Sequence, residues 1–467
     1  MDKITYISVS NMRRQFIIGS SLLVFLSISN IVSANNNTEN NPVDLSTHKR
    51  VLTQAISVDA SIWAYNSYIA KEPWAKISIQ SLKNNIEHGW VIDEDEFDVN
   101  QFGHPYQGSL VYTAARAQGL GFWESIPYPI FSSFIWEIGL ETEYPSINDM
   151  ITTPLSGITY GEISHRLSQL ILGVNPAISN EIIALIVNPS LGLNRLIGGK
   201  RNYPKGDLYS FDYTAGISLG AGSFLINNDA LLFPRRFARF HIFYGNPFDK
   251  DKLTKPFDYF SFVGIVNFGI KEFVGEVYSS GLLLRLNNIS NTNYSQLLGV
   301  FKNYDFMNHD DFKVSSSSIG LGLIQNIKLS HNLSLYNEVA TSVILLGSAG
   351  DMSDDEIYQR DYYYGPGISG KFILMVKKQG IGNIYMRLKR YYIFNLEKFD
   401  KAIYENVNLA KAGFQINILP KYSVGGEFTA AMKKSIGNIS INEFQRDSIF
   451  RLYFIYNFNS QAQNNNA

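Results

Sequence analysis

Apolar and polar residues alternate strictly along much of the chain beyond residue 207. Near the start of this region, five apolar residues occupy every second position: Phe211, Tyr213, Ala215, Ile217 and Leu219. Near its end, the apolar positions are Phe450, Leu452, Phe454, Tyr456 and Phe458. A period of two predicts β-strands that present one apolar face and one polar or small face.

Twelve segments alternate in this way, near 207–225, 234–247, 256–270, 273–287, 294–307, 313–328, 332–346, 360–377, 381–395, 402–417, 419–434 and 445–458. They are long for strands of soluble proteins, and outer faces this aromatic would be insoluble in water. We therefore predict a mainly β fold, a transmembrane antiparallel β-barrel of about 12 strands over residues 207–458. With an even number of strands, the first strand begins and the last strand ends on the same side of the membrane, the periplasmic side. The short turns at 330–332, 378–381 and 419–421 are then expected on this side as well.

The pattern between residues 51 and 200 is helical instead. Helices are predicted at 110–119, 129–143, 145–172 and 179–189. Within the third of them, Ser146 precedes Asp149 by three residues, which is the spacing of a helix N-cap. Gly157 and Gly161 are four residues apart, so another element can approach this helix closely.

The predicted helices are too short and too charged to cross a bilayer, since a crossing needs about 20 uninterrupted apolar residues. We expect them to form a plug-like domain, 51–200, in or under the barrel lumen. Inward-facing barrel cations such as Arg239, Arg387 and Lys389 would then pair with helix carboxylates. The residues expected to form this polar cluster of ion pairs and caps are Arg116, Glu124, Glu137, Glu141, Asp149, Glu162 and Arg166.

The ends of the sequence predict export. Arg13 and Arg14 precede an apolar run at 16–32, and small residues lead to Ala34, which together are typical of a signal peptide over residues 1–34. Residues 35–50 are predicted to be a flexible leader and 459–467 a polar tail. We expect the protein in the outer membrane of a Gram-negative bacterium after cleavage near Ala34, with outer-membrane lipid and the barrel-assembly machinery as partners.

Composition agrees with a membrane barrel and removes several classes of site. The chain has 28 Tyr, 31 Phe and 36 Gly, but its mean hydropathy is only −0.06. It has no cysteine, which excludes disulfides, thiolate metal sites and a catalytic cysteine. A net charge of −1 offers nothing that would favour nucleic acid as a partner.

Six motifs follow one another through the helical region: HPYxGS, AR, FWES, WExxxE, PSIND and GExxxR. In order and spacing they resemble an uncharacterised domain of exported bacterial proteins, a domain of unknown function, here attached to the predicted barrel. The resemblance covers roughly residues 90–200. It implies an outer-membrane protein and implies no particular activity.

One chemical hypothesis is a lipid-modifying hydrolase or acyltransferase of the outer membrane. Ser109 would be the nucleophile and His104 the base, with Glu137, Glu141 or Asp149 orienting the histidine. The sequence lacks the G-x-S-x-G turn that presents such a serine in many hydrolases, and Ser109 equally suits a helix cap. The pattern therefore favours a protein that is not an enzyme and keeps the hydrolase as the alternative.

A metal site is a further hypothesis. Glu137 and Glu141 are one helical turn apart, and Glu162 and His165 have the spacing of a Glu-x-x-His pair. A carboxylate-bridged centre needs two such pairs and only one is found, so Glu162 is expected to pair with Arg166 instead, and we expect no metal or other cofactor. The function favoured at this stage is transport of a lipid-like or small ligand, or envelope maintenance, by a plugged barrel.

Overall fold

The computed structural model describes residues 44–174, 177–197, 211–226, 229–269, 272–309, 312–349, 362–396, 404–436 and 444–459. The predicted signal peptide and cleavage site, the first part of the leader and nearly all of the polar tail lie outside these residues. The chain divides into two compact units. One takes in Met1–Asp95 and Val99–Tyr209, and the other takes in Glu96–Asp98 and Ser210–Ala467.

The first unit is helical. Among its described residues the α-helices are α1 (Leu45–Ala64), α2 (Ile79–His88), α3 (His104–Ala117), α4 (Phe122–Ser125), α5 (Pro127–Gly139), α6 (Ile147–Val174), α7 (Ile178–Val187) and α8 (Pro189–Ile197). Short π-helical segments, Tyr65–Ala70 and Val99–Gly103, follow α1 and precede α3. No helix in the described part of the chain is long and apolar enough to cross a membrane.

Two helix starts differ from the predictions. The expected flexible leader ran to Arg50, but α1 begins at Leu45 because the Asp44 carboxylate accepts hydrogen bonds from the Ser46 backbone N–H and hydroxyl. Helix α3 begins at His104, six residues earlier than expected, with a proline in its first turn, where a missing N–H costs nothing. The chain turns away after α3 at Gly119, whose φ is +92°.

Helices α3 and α6 cross in close contact, as the glycine spacing predicts. A Cβ atom on Gly157 would lie 2.7 Å from the Gly108 carbonyl carbon, and one on Gly108 would lie 2.2 Å from the Thr153 carbonyl oxygen. Gly161 in turn receives the Tyr112 ring. These contacts hold the first turn of α3 at a fixed position along α6.

The second unit is a closed antiparallel barrel of twelve strands, which confirms the predicted fold. The strands are β1 (Tyr213–Ile226), β2 (Asp229–Tyr244), β3 (Phe260–Phe268), β4 (Val274–Ser290), β5 (Tyr294–His309), β6 (Phe312–Ser330), β7 (Leu333–Ala349), β8 (Tyr363–Lys378), β9 (Gly382–Phe394), β10 (Tyr404–Leu419), β11 (Tyr422–Ile436) and β12 (Phe444–Asn459). Neighbours in sequence pair throughout, and β1 pairs with β12 to close the ring. Each strand overlaps one predicted segment.

The barrel separates an apolar outer face from a more polar interior. Along β12, Phe450, Leu452, Phe454 and Tyr456 are exposed, whereas Ile449, Arg451, Tyr453 and Ile455 are buried. The same alternation places Ile217 and Leu219 outside and Ser218 inside on β1. The short turns at 331–332, 379–381 and 420–421 lie at the end of the barrel where β1 begins and β12 ends, as predicted.

Candidate functional site

Three side chains of the helical unit converge from separate elements: Asp93 from the loop after α2, His104 from the first turn of α3 and Asp149 from the first turn of α6. One carboxylate oxygen of each aspartate and one ring nitrogen of His104 all lie within 4.8 Å of one another. The two carboxyl groups are also within hydrogen-bonding reach of each other. We call this group the Asp–His–Asp cluster.

The backbone brings the Asp93 loop to the start of α6. Val91 forms a parallel bridge with Ser146. In this bridge the Val91 N–H donates to the Pro145 carbonyl and the Ile147 N–H donates to the Val91 carbonyl, both at 2.8 Å. Asp93 therefore emerges two residues beyond a fixed point beside Asp149.

Two asparagines and the helix cap orient the cluster. Asn148 accepts from the Asp93 N–H at 3.0 Å and donates to the Asp149 carboxylate at 3.1 Å. Asn100 donates to the Asp93 carboxylate at 2.5 Å. Ser146 caps α6 as predicted, because its hydroxyl accepts from the Asp149 N–H. In a complete capping box the Asp149 carboxylate would accept a hydrogen bond from the Ser146 N–H. Here Glu137 accepts that bond at 2.8 Å, so the Asp149 carboxylate is available to the cluster.

The carboxyl groups around the cluster disfavour one another's charge. Burial, and after it the Asp93 carboxylate, raises the pKa of Asp149 well above its usual range. Burial raises the pKa of Glu137 to about 8, and burial followed by Glu137 raises that of Glu141. The pKa of His104 is lowered by burial although Asp93 opposes the shift, so the ring is neutral near pH 7. The cluster thus places a neutral imidazole next to carboxyl groups that repel one another.

Ser109 is not brought to His104. The two residues are five apart on one continuous helix, which places them about 140° apart around its axis. The Ser109 hydroxyl donates to the Tyr106 carbonyl at 2.7 Å. Nothing in this arrangement favours the nucleophile and base that the hydrolase hypothesis needs.

The expected single cluster of charged residues is instead three separate arrangements. Glu162 receives Arg116 at 2.9 Å and Arg166 at 2.8 Å, and it accepts a hydrogen bond from the Tyr112 hydroxyl. Burial favours a higher pKa for Glu162, but the two arginines outweigh it and hold the pKa at about 2. Glu124 only caps α4, accepting from the Gly121 N–H. Glu137, Glu141 and Asp149 belong with the Asp–His–Asp cluster.

His165 does not complete a metal pair with Glu162. Burial, and then Arg116, lowers the pKa of His165 to about 3, so it is a neutral core side chain. Both Glu162 oxygens already accept from arginines or from Tyr112. The predicted ion pair of Glu162 with Arg166 is confirmed.

In the barrel unit, charged side chains meet across the lumen. Glu276 on β4 receives Lys411 from β10 at 2.9 Å and Arg451 from β12 at 2.6 Å. Arg451 and Lys411 also approach Glu427 on β11, at 3.4 and 3.3 Å. All four side chains are buried. We call Glu276, Lys411, Glu427 and Arg451 the lumen charge network.

The barrel cations singled out from the sequence have barrel partners. Arg239 pairs with Glu427 at 2.9 Å, and Lys389 pairs with Asp305 at 2.6 Å. The expectation that they would pair with helix carboxylates is therefore wrong for these two, because inward acidic residues of the barrel neutralise them. Arg387 differs, since its Nε is buried and has no hydrogen-bond partner among the described residues.

A cavity of about 620 Å³ lies in the lumen between the charge network and the end with the short turns. Its wall includes Arg387, Lys411 and Glu427 together with tyrosines: Tyr213, Tyr259, Tyr278, Tyr336, Tyr385 and Tyr453. Arg387 is the direct partner of Lys411 in the β9–β10 register, so two cations lie side by side on this wall. Cavities of this size and mixed lining are typical of sites for small ligands.

Asp93 and four inward barrel charges did not stand out in the sequence. Asp93 lies in the acidic run DEDEFD, which resembles a solvated stretch. Glu276, Lys411, Glu427 and Arg451 occupy inward positions of alternating strands, so the period of two could have indicated that they face the lumen. No sequence pattern indicates which of them pair, because the partners are as many as 175 residues apart, as in Glu276 and Arg451.

Comparison with known proteins identifies part of the helical unit. The family described as "Domain of unknown function (DUF3943)" matches residues 89–190. This range contains the whole Asp–His–Asp cluster, and it supports the resemblance to an uncharacterised domain. Among curated proteins no sequence matches the chain.

Solved structures similar to the barrel are outer-membrane channels. They include the NanC porin (9% identity, 51% of this chain and 98% of that chain, TM-score 0.28). The outer-membrane channel DcaP of Acinetobacter baumannii has 8% identity, covering 53% and 96%, with a TM-score of 0.25. The toluene transporter TodX of Pseudomonas putida has 7% identity, covering 57% and 93%, with a TM-score of 0.22. Likeness this distant carries no functional argument. One segment of the helical unit is similar to a domain of unknown function, and the other half of the chain is similar to channel barrels.

Proposed function

We propose that this protein is an outer-membrane barrel that binds and passes a small ligand bearing negative charge, with the lumen charge network as its gate. The observation that carries the proposal is the pairing of charges from opposite walls beneath a cavity of about 620 Å³. Ion pairs that cross a lumen close it, and ion pairs exchange partners when a charged ligand arrives.

The outer face supports a location in the outer membrane. Exposed apolar side chains occur on many strands, among them Leu219, Leu284, Leu321, Ile368, Ile384 and Leu452. A surface of this kind is stable in lipid and promotes aggregation in water. Heated and unheated samples from the outer-membrane fraction should migrate differently in a semi-native gel, since a folded barrel resists detergent until heated. Recovery as a soluble periplasmic protein would contradict this location.

The charge of the ligand is inferred from Arg387. Its guanidinium is beside Lys411, lines the cavity, and makes no hydrogen bond or ion pair with a described residue. An arginine in this position binds carboxylate or phosphate oxygens well. In planar bilayers the open lumen should therefore prefer chloride over potassium, and R387Q should reduce this preference. A preference for potassium in the unaltered protein would contradict the proposal.

We further propose that the helical domain acts as a plug that lowers passage through the barrel. Its buried ion pairs and caps give it a rigid fold of its own, which a plug requires. A chain that keeps the signal peptide and barrel but lacks residues 51–200 should give larger currents than the full chain. Equal currents from folded samples of both chains would contradict a plug.

A further inference from the structure

We propose that Asp93, His104 and Asp149 bind a divalent first-row transition metal ion, with Zn²⁺ as the representative probe. This proposal concerns the helical unit alone and does not depend on transport by the barrel. It departs from the sequence-based expectation of no metal and uses neither of the residue pairs considered for a metal there. Among the chemical hypotheses, His104 and Asp149 were considered only for the hydrolase.

The donor atoms of the three side chains suit such an ion. One imidazole nitrogen and two carboxylate oxygens suit zinc, manganese and iron, whereas the absence of sulfur ligands disfavours copper(I). Ligand atoms around zinc lie about 3.4 Å apart. The three atoms here already lie within 4.8 Å of one another, so side-chain rotations of a small size complete the site. Three protein ligands leave a fourth position for water or for an oxygen of another molecule.

The His104 ring is placed to bind an ion. It is partly buried, and neither ring nitrogen has a hydrogen-bond partner in the part of the chain that the structure describes. A histidine ring without such a partner has a nitrogen available to bind a metal ion. One ring nitrogen lies close to both carboxylates. A bound metal ion would supply the positive charge that balances these carboxylates.

Two asparagine side chains support the carboxylates of Asp93 and Asp149. Asn100 donates to one carboxylate oxygen of Asp93, and Asn148 donates to one carboxylate oxygen of Asp149, so both groups are held in place beside His104. Second-sphere donors of this kind orient carboxylate ligands in known metal sites. Asp149 is 2% exposed, and a cation between two neighbouring carboxylates would relieve their repulsion.

The test is the metal content and zinc affinity of the full chain purified in detergent. The unaltered protein should bind one zinc per chain after dialysis, and zinc should raise the midpoint of helical unfolding followed by circular dichroism. D149N and H104Q should each weaken zinc binding at least about tenfold, which is the scale at which even second-sphere changes act. D149N keeps the shape of Asp149 and relieves carboxylate repulsion, so loss of binding would not reflect loss of folding.

The control is H88A, because His88 is an exposed histidine of the same unit. Its removal should leave zinc affinity unchanged. The proposal is overturned if the unaltered protein binds no zinc, or if D149N and H104Q bind it as tightly as the unaltered protein. Loss of binding in H88A with retention in D149N would likewise overturn it, because surface histidines would then hold the ion.

Discussion

Glu276 and Lys411 extend into the lumen from opposite walls of the barrel and form an ion pair of 2.9 Å. Their strands, β4 and β10, are six places apart in a ring of twelve, which is the largest separation that the ring allows. The pair therefore spans the lumen and connects two opposite walls. It joins residues 135 positions apart in sequence.

Removing the positive partner should open the lumen. In K411M, Glu276 keeps Arg451, but the link from β10 to the opposite wall is lost. We expect larger single-channel currents in planar bilayers than for the unaltered protein. K328Q is the matched control, since Lys328 is exposed near the short-turn end of β6. Unchanged currents in folded K411M would show that this pair does not close the lumen.

Glu162 should be the most costly charge to remove from the helical unit. E162Q removes the buried carboxylate that Arg116 and Arg166 share. Breaking a buried ion pair in this way costs about 3–5 kcal/mol. The measurement is denaturant unfolding of the full chain, followed by helical circular dichroism. E87Q, which removes the exposed pair with Lys83, should have almost no effect, and equal losses in both variants would contradict the account.

The contact between α3 and α6 should not tolerate a methyl group. G157A places a Cβ atom 2.7 Å from the Gly108 carbonyl carbon, and backbone on both sides leaves no flexible group to move. Overpacking of this kind costs about 1–3 kcal/mol. In G139A the nearest atom is a Leu82 methyl carbon at 4.0 Å, so this variant should unfold at the same denaturant concentration as the unaltered protein or higher. Equal tolerance of both changes would contradict the close crossing.

Asp59 should make the helical unit less stable at neutral pH than in acid. Burial raises the pKa of Asp59 to about 7, although Ser132 and Gln107 donate hydrogen bonds to it and oppose the shift. Because the folded pKa lies above the unfolded value of 3.8, the stabilisation is complete below pH 3.8 and is lost as the pH rises through about 7. The helical melting temperature should therefore fall between about pH 4 and pH 7 and level off above pH 7, after allowance for other groups. In D59N this part of the fall should disappear, and an identical pH profile would contradict the assignment.

The barrel could be predicted from sequence because its signal is repeated on every strand. A period of two places Leu452 outside and Arg451 inside without knowledge of any contact. The cap at Ser146 was also predictable, because it acts on a residue only three positions away. The close helix crossing was predictable because Gly157 has no side chain. The Asp–His–Asp cluster was only partly predictable. His104 and Asp149 stood out, but Asp93 is placed beside them by the bridge between Val91 and Ser146, which has no local sequence pattern.

The pairing of barrel charges was likewise beyond sequence analysis. Arg239 and Lys389 were correctly expected to need carboxylates, but their partners depend on strand register and on distance across the lumen. Such distances follow from barrel closure, which is a property of the whole sheet. The ion pair of Glu162 with Arg166 could be predicted because four residues of helix bring the two side chains together.

The most direct test of the account is the environment of single cysteines along β12, which is a clean experiment because the chain has no cysteine of its own. An environment-sensitive thiol label would be placed in L452C, F454C, Y453C and I455C, with the protein in lipid bilayers. The account predicts that labels at 452 and 454 are quenched by a lipid-borne quencher, and that labels at 453 and 455, which line the lumen cavity, are quenched by iodide in water. Quenching by iodide at all four positions alike would contradict a membrane-spanning barrel.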